Sequence, residues 1–227
     1  MEPAQLISLA NSIKGLCYAE DCLILYNLIK NLKFEGVALE IGSFEGRVTI
    51  CLAKALEEDG RGHLYTIDAD ILKVKDNLQR NISDFEVKTR VTPIFKYSAI
   101  ANIGWKEPIN FLWMDVDGNY LSWLAEFLLW EPHLVRGGII ALSGAHCSST
   151  QRIINNYVIK SGRFKDVTMA GSIVFAYKDR QEKHYSIPKT SAVRFLSLIY
   201  YLLRKYLYKF KNIPYLLSKL KRNMAAG

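Results

Sequence analysis

The stretch from Val37 to Gly46 carries residue types that could bind a cofactor. It begins as a short apolar strand that includes Glu40, and it continues into a turn before an apolar helical repeat. The candidate contacts are Glu40, Gly42, Ser43, Phe44 and Gly46. Glycine tolerates positive φ and lets a ligand approach the backbone, while free N–H groups at the start of a helix favour electron-rich groups. The stretch predicts a cofactor site, although a strand and glycine turn also occur without any ligand in α/β sheets.

Acidic residues follow two further predicted strands. Asp68 ends a strand at 63–67, roughly twenty residues beyond the glycine turn, where a carboxylate can accept both hydrogens of a ribose diol. The alternative is that Asp68 caps a helix at 71–80. Asp115 and Asp117 follow a strand at 109–114, and the carboxyl ends of strands are where open α/β sheets bind ligands. Asp117 either orients an acceptor molecule or caps the next helix.

His146 is the candidate general base. It follows a predicted strand at 139–142, in the run Ser143-Gly144-Ala145-His146. An imidazole titrates near neutral pH and can take a proton from a reacting hydroxyl, but a structural role for this histidine stays equally open. His63 and His133 lie in return loops at the opposite edge, and we predict no chemical role for them.

Elements of alternating type must position these residues. Hydrophobic periodicity predicts helices at 3–15, 20–32, 47–58, 120–130 and 149–160, with Asp21 in the N-terminal cap region of the second. Asn119 can cap the helix at 120–130, and Pro132 with Gly137-Gly138 indicates a turn before the strand at 139–142. A further strand is expected at 91–95, and a closing antiparallel pair around Gly171 at 167–168 and 173–177. The two N-terminal helices form a lid or a pocket wall, or simply pack against the sheet. The pattern is that of an α/β protein.

Length and composition agree with one α/β domain and an appendage. The chain has 227 residues, half of them hydrophobic, and its N-terminal segment lacks the features of a secretory signal. We therefore expect a cytoplasmic protein, or one on the cytoplasmic face of a membrane. The cysteines show no C-x-x-C spacing and are expected to be reduced core residues: Cys17, Cys22, Cys51 and Cys147.

The positive charge is concentrated in the C-terminal tail. No acidic residue follows Glu182, whereas ten basic residues lie between Lys183 and Arg222. The formal net charge of the whole chain is +8, so the first 182 residues carry a net charge of about −2. Residues 191–222 place apolar and basic side chains on opposite faces of a predicted amphipathic helix. Such a helix suits an anionic membrane surface. Alternatively, the tail helix packs on the body of the protein or on a second subunit, as in a homodimer. Contact with nucleic acid is the least favoured alternative.

Three segments together resemble the class I S-adenosylmethionine-dependent methyltransferases, and in particular small-molecule and sugar O-methyltransferases. They are Glu40–Gly46, Tyr65–Asp68 and Phe111–Asp117, and the last leads to Trp130–Gly138. The resemblance spans roughly residues 20–178. It implies a doubly wound, Rossmann-like, mostly parallel sheet of order 3-2-1-4-5-7-6 with strand seven antiparallel. The expected units are N-terminal helices at 1–34, the methyltransferase domain at 35–180 and a helical tail at 181–227.

The resemblance also assigns roles to residues. It implies that Glu40, Gly42, Ser43 and Gly46 meet the methionine part of S-adenosylmethionine and that Asp68 binds the ribose. Ser98 lies near the adenine, and Asp115 lies beside the sulfonium and the acceptor. The chain departs from its relatives where metal-using members carry Asp-Asn after strand five and sugar-type members carry histidines. Gly118, Ser143 and Gly144 occupy those places here, so we predict no metal site.

These inferences predict an O-methyltransferase that acts on a hydroxyl of a small molecule, with a sugar of a membrane-linked glycan as the expected acceptor. Asp115, His146 and Asp117 are the predicted catalytic residues. Loss of the usual histidine and Asp-Asn pair leaves a second hypothesis open, which is an inactive scaffold or regulatory partner. A nucleotide-binding dehydrogenase is disfavoured, because the turn lacks a full G-x-G-x-x-G.

Overall fold

The strands form a single mixed sheet in the computed structural model, which describes residues 1–33, 36–70, 72–116 and 119–179. The strands are β1 Val37–Ile41, β2 Leu64–Ile67, β3 Val91–Ile94, β4 Ile109–Met114, β5 Leu134–Leu142, β6 Phe164–Ala170 and β7 Ile173–Lys178. Their order is β3-β2-β1-β4-β5-β7-β6. The first five strands pair in parallel, and β7 is antiparallel to both of its neighbours. The predicted sheet order and the antiparallel seventh strand are confirmed.

Helices cover both faces of this sheet. They are α1 Pro3–Ser12, α2 Ala19–Lys30, α3 Arg47–Asp59, α4 Lys75–Asp84, α5 Ser98–Ala101, α6 Tyr120–Trp130 and α7 Ser148–Ile153, which continues as a π-helical segment, Ile154–Ile159. Asn119 caps α6 as predicted, because its side-chain oxygen accepts hydrogen bonds from the backbone N–H groups of Leu121 and Ser122 at 2.9 and 3.3 Å. No described helix combines the length and apolar character needed to cross a bilayer.

Alternation along the strands divides the core into two clusters. On β1, Ala38 belongs to the cluster that also contains apolar residues of α1, α2 and α3, whereas Leu39 and Ile41 belong to the cluster with α6 and α7. Successive strand side chains point to opposite faces, so each buried strand contributes to both clusters. This arrangement leaves the carboxyl ends of β1, β2, β4 and β5 at one edge, where the candidate residues follow.

Strand β5 is longer than predicted. The pair Gly137-Gly138 indicated a turn, but it lies within Leu134–Leu142, next to a register irregularity between Ile109 and Phe111 of β4. A Cβ at Gly138 would lie 2.9 Å from the carbonyl oxygen of Asn110. Glycine here permits a close approach of two backbones, which local sequence patterns do not distinguish from a turn.

Asp21 does not cap α2, which begins at Ala19 after Tyr18. Its buried carboxylate instead accepts hydrogen bonds from the backbone N–H of Ser172, at 3.1 Å, and from the Ser172 hydroxyl. This acid connects α2 to the turn between β6 and β7. The prediction of a cap was wrong because the partner lies 151 residues away in sequence.

The cysteines are free, as predicted, but they are not all core residues. Cys22 and Cys51 are buried, Cys17 is half-buried and Cys147 is exposed. Cys147 directly precedes α7, at the end of a loop that follows β5.

Candidate active site

The turn after β1 forms the floor of a cavity of about 730 Å³ at the carboxyl ends of β1, β2, β4 and β5. Gly42 has a φ of +92°, and a Cβ at this position would lie 2.3 Å from the carbonyl oxygen of Asp115. Gly46 has a φ of +96° and directly precedes α3. Glycine is therefore required for conformation and, at Gly42, for close packing of two strand ends.

Phe44 and Asp68 fix the loop on the β2 side of the cavity. The backbone N–H of Phe44 donates to Asp68 Oδ2 at 3.0 Å, and the N–H of Asp70 donates to Asp68 Oδ1 at 2.7 Å. Burial raises the pKa of Asp68 above its ordinary value, while these N–H groups stabilise its charged form. The carboxylate is thus oriented before any ligand binds, and it lines the cavity with Gly42, Ser43 and Phe44.

Glu40 is fully buried beneath the loop and does not line the cavity. Its Oε2 accepts hydrogen bonds from the hydroxyl groups of Thr49, at 2.6 Å, and Thr66, at 2.7 Å. Burial raises the pKa of Glu40 to about 8, although both hydroxyl groups stabilise the charged form. Gly46 is likewise absent from the cavity wall. Both residues support the loop from behind, where β1, β2 and α3 meet.

The ends of β4 and β5 lie at the same cavity, which is lined there by Asp115, Ser143 and His146. The Ser143 hydroxyl donates to Asp115 Oδ1 at 2.6 Å, which holds the carboxylate toward β5. His146 is exposed at the cavity rim, so its imidazole can exchange protons with solvent. Asp117, the third predicted catalytic residue, lies outside the described residues.

Ser98 lines the cavity at the start of α5, in the segment that follows β3. Its hydroxyl oxygen accepts a hydrogen bond from Nε1 of Trp130 at 2.5 Å. The serine is buried, and this contact ties α5 to the end of α6. The structure therefore places Ser98 on the same wall as Trp123 and Glu126 of α6.

Sequence reasoning missed Arg47 and Glu126. Arg47, the first residue of α3, donates from Nε to the carbonyl oxygen of Ile13 at 2.8 Å and from a terminal nitrogen to that of Cys17 at 2.6 Å. It joins the loop between α1 and α2 to the cavity wall. Glu126 is the one acidic residue within the apolar helix Tyr120–Trp130, and that isolation was a signal available in the sequence.

The described residues include no group of three or more His, Cys, Asp or Glu side chains arranged to hold a metal ion. The cavity does fit a nucleoside-type cofactor. The glycine turn at Gly42, an oriented carboxylate at Asp68 and the N-terminus of α3 meet at one place. Hydroxyl groups and electron-rich groups are the partners that such a set binds.

Comparisons with known proteins agree with this geometry. Residues 39–143 match a family model described as a methyltransferase domain. An O-methyltransferase from Bacillus cereus, solved with S-adenosylhomocysteine, is 22% identical, with a TM-score of 0.57 over 78% of this chain and 89% of that chain. TomG of Streptomyces achromogenes, an O-methyltransferase of tomaymycin synthesis solved with S-adenosylmethionine, is 16% identical, with a TM-score of 0.55 over 79% and 100%. The O-methyltransferase NovP is 14% identical, with a TM-score of 0.60 over 72% and 81%.

The order of the strands and the site at the edge of the sheet define the fold, which is that of the class I S-adenosylmethionine-dependent methyltransferases. Residues 39–143 are the part of this chain that matches a methyltransferase domain. The fold and the similarity to methyltransferases, which the sequence resemblance predicted, are thus confirmed.

Proposed function

We propose that this methyltransferase transfers a methyl group to a hydroxyl of a small molecule. The observation that carries the proposal is the pairing of Asp115 with Ser143 on the wall that also bears His146 and the cofactor cradle. Methyl transfer from a sulfonium needs an aligned oxygen nucleophile and a group that takes its proton. The structurally similar O-methyltransferases support the same class of acceptor.

Within this proposal the cofactor-facing residues are Gly42, Ser43, Phe44, Asp68 and Ser98, with Asp115 beside them. Asp68 accepts hydrogen bonds from the ribose hydroxyls, and the backbone at Gly42 admits the methionine part. Glu40 and Gly46 act through the shape of the loop. S-adenosylmethionine supplies, when bound, a methyl group already activated by its sulfonium.

The remaining residues act on the acceptor. Asp115, held by Ser143, accepts a hydrogen bond from a hydroxyl next to the reacting one and so orients the acceptor. His146 receives the proton of the reacting hydroxyl at a ring nitrogen and returns it to solvent, which its exposed position allows. Asp117, outside the described residues, is proposed to orient the acceptor from the same strand end.

We further propose that the acceptor is a sugar on a membrane-linked glycan. This step rests on the resemblance of the sequence to sugar O-methyltransferases and on the basic tail, both described above. Residues 181–227 lie outside the described residues, and their composition supports contact with an anionic membrane surface. The alternative is that the tail contacts a second copy of the chain in a homodimer.

Methyl transfer from labelled S-adenosylmethionine to a panel of hydroxyl compounds tests the proposal. The panel contains free sugars, nucleotide sugars, sugars on polyprenyl phosphate in anionic vesicles, and phenols. We expect turnover on a sugar, highest for the vesicle-bound form. His146→Ala should lower kcat by about 10²–10⁴-fold, the usual contribution of a general base. Binding of S-adenosylhomocysteine should be unchanged, because His146 does not hold the cofactor.

His63→Ala is the matched control, since His63 contacts Thr92 at the far edge of the sheet and should leave kcat within about twofold. Turnover on phenols alone would overturn the sugar assignment. Cofactor binding without turnover on any hydroxyl compound would overturn the enzymatic proposal and favour the scaffold hypothesis.

A further inference from the structure

Glu126 is a buried carboxyl group on the cavity wall, and none of the described residues forms a hydrogen bond with it. Only 1% of the residue is exposed, and among the described residues neither Oε1 nor Oε2 accepts a hydrogen bond. It lies on α6, whose other ten residues include no charged side chain. Burying a carboxyl group without partners is costly, and buried polar groups in folded proteins are almost always hydrogen-bonded. A partner that the described residues do not supply is therefore expected at this point of the cavity.

The groups nearest to Glu126 are engaged with each other. Ser98 and Trp130 carry polar hydrogens close to the carboxyl group and partly stabilise its charged form. However, Trp130 donates its indole N–H to the Ser98 hydroxyl oxygen at 2.5 Å, and neither residue donates to Glu126 with good geometry. Burial dominates and raises the pKa of Glu126 to about 7. Near neutral pH this carboxyl group can therefore both donate and accept a hydrogen bond.

The position of Glu126 relative to the strand ends indicates which end of the cofactor it would meet. Asp115, Gly42 and Asp68 follow β4, β1 and β2, which are consecutive in the sheet, and Ser98 follows β3 at its edge. A cofactor that reaches from Asp115 past Gly42 to Asp68 with its ribose brings the attached base toward Ser98. Glu126 lies on this wall, together with the apolar side chains of Trp123 and Val116.

Adenine matches these surroundings. Its flat ring suits an apolar wall, and its edge places an amino donor beside a ring nitrogen acceptor. We propose that Glu126 reads this edge of the cofactor, accepting a hydrogen bond from the adenine amino group through one carboxyl oxygen. In its neutral form the other oxygen donates to the adjacent ring nitrogen. Glu126 is thus a specificity-determining residue for the adenine base. The inference rests on the cofactor and on the proposed ribose contact of Asp68, but not on the identity of the acceptor.

Calorimetric titration with two ligands tests the inference in the full chain. One ligand is S-adenosylhomocysteine, and the other is its 6-deamino analogue, in which hydrogen replaces the adenine amino group. The unaltered protein should bind the first at least about tenfold more tightly, since a buried partner is left unpaired by the analogue. Glu126→Ala should reduce this ratio to within about twofold, because nothing then reads the amino group. Glu126→Gln keeps a carbonyl acceptor and an amide donor, so it should retain most of the preference.

The ratio of the two affinities is measured on one sample, so a partly unfolded variant does not distort it. Leu121→Ala, an exposed change on the same helix, should leave the ratio unchanged. An unaltered ratio in Glu126→Ala, or equal binding of both ligands by the unaltered protein, would overturn the inference. Absence of methyl transfer to any hydroxyl would not affect it, because no acceptor takes part in the titration.

Discussion

Asp68 is oriented by the chain itself, since two backbone N–H groups hold its two oxygens. Each oxygen retains a free lone pair for a ribose hydroxyl. Asp68→Ala should therefore weaken binding of S-adenosylmethionine and S-adenosylhomocysteine by about 1–3 kcal/mol, the usual cost of a lost charged hydrogen-bonding group. Isothermal titration calorimetry measures this change. Asp84→Ala, on the exposed side of α4, is the matched control, and equal affinities for the two variants would refute the ribose role.

The residues whose positions the sequence predicted best are those whose signal is local. Gly42, Asp68 and Asp115 each follow a recognisable strand, and the sheet then brings them together at one edge. Ser143 was noticed only for what it replaces in the relatives. Its bond to Asp115 depends on the pairing of β4 with β5, which no local pattern encodes. Arg47 was missed for the same reason, because its partners lie more than 29 residues away.

At the scale of elements, the contact of α2 with the β6–β7 turn depends on Asp21. A Cβ at Gly171, which has a φ of +58°, would lie 2.1 Å from Asp21 Oδ1, so the carboxylate fits closely over this turn. Asp21→Ala leaves the Ser172 N–H without its acceptor. We expect the free energy of unfolding to fall by about 1–3 kcal/mol.

Urea unfolding followed by circular dichroism measures this loss. Glu20→Ala, an exposed change on the neighbouring residue of α2, should alter the free energy of unfolding by less than about 0.5 kcal/mol. If the two variants were equally stable, the contact between Asp21 and Ser172 would contribute nothing to the fold.

Element types were predictable here, whereas element limits were less so. Each buried strand and amphipathic helix carries its own periodicity, which is why the order of elements followed from the sequence. The start of β5 did not, because Gly137-Gly138 has the composition of a turn but the environment of a strand. Close packing against Asn110 favours glycine at position 138, and that packing exists only in the folded sheet.

At the scale of the whole molecule, two buried carboxyl groups should make stability depend on pH. Burial raises the pKa of Glu40 to about 8 and that of Glu126 to about 7, from an ordinary value of 4.5. The folded protein therefore retains protons that the unfolded chain releases above pH 4.5. The free energy of unfolding should fall, by a few kcal/mol in total, as pH rises from about 4.5 to about 8. Asp68 contributes in the same direction.

Urea unfolding at pH 5, 6, 7 and 8 measures this slope. The double variant Glu40→Gln, Glu126→Gln should flatten it, because neither amide titrates, while Glu57→Gln on the exposed side of α3 should not. Glu58, whose pKa is lowered to about 2, contributes in the opposite direction, but it does so below pH 4.5 and outside this window. A slope that persists in the double variant would show that other groups cause it.

Helices α1 and α2 share a hydrophobic cluster with α3 and with the sheet, through residues such as Leu6, Leu25 and Ile29. The recognised segment, 39–143, contains neither these helices nor β6 and β7. An expression fragment cut at those limits would present the apolar side of α3 and the open edge of β5 to water, and it should aggregate. The segment that matches the methyltransferase model is thus smaller than the unit that we expect to fold. A truncated form of this protein should therefore keep α1, α2, β6 and β7.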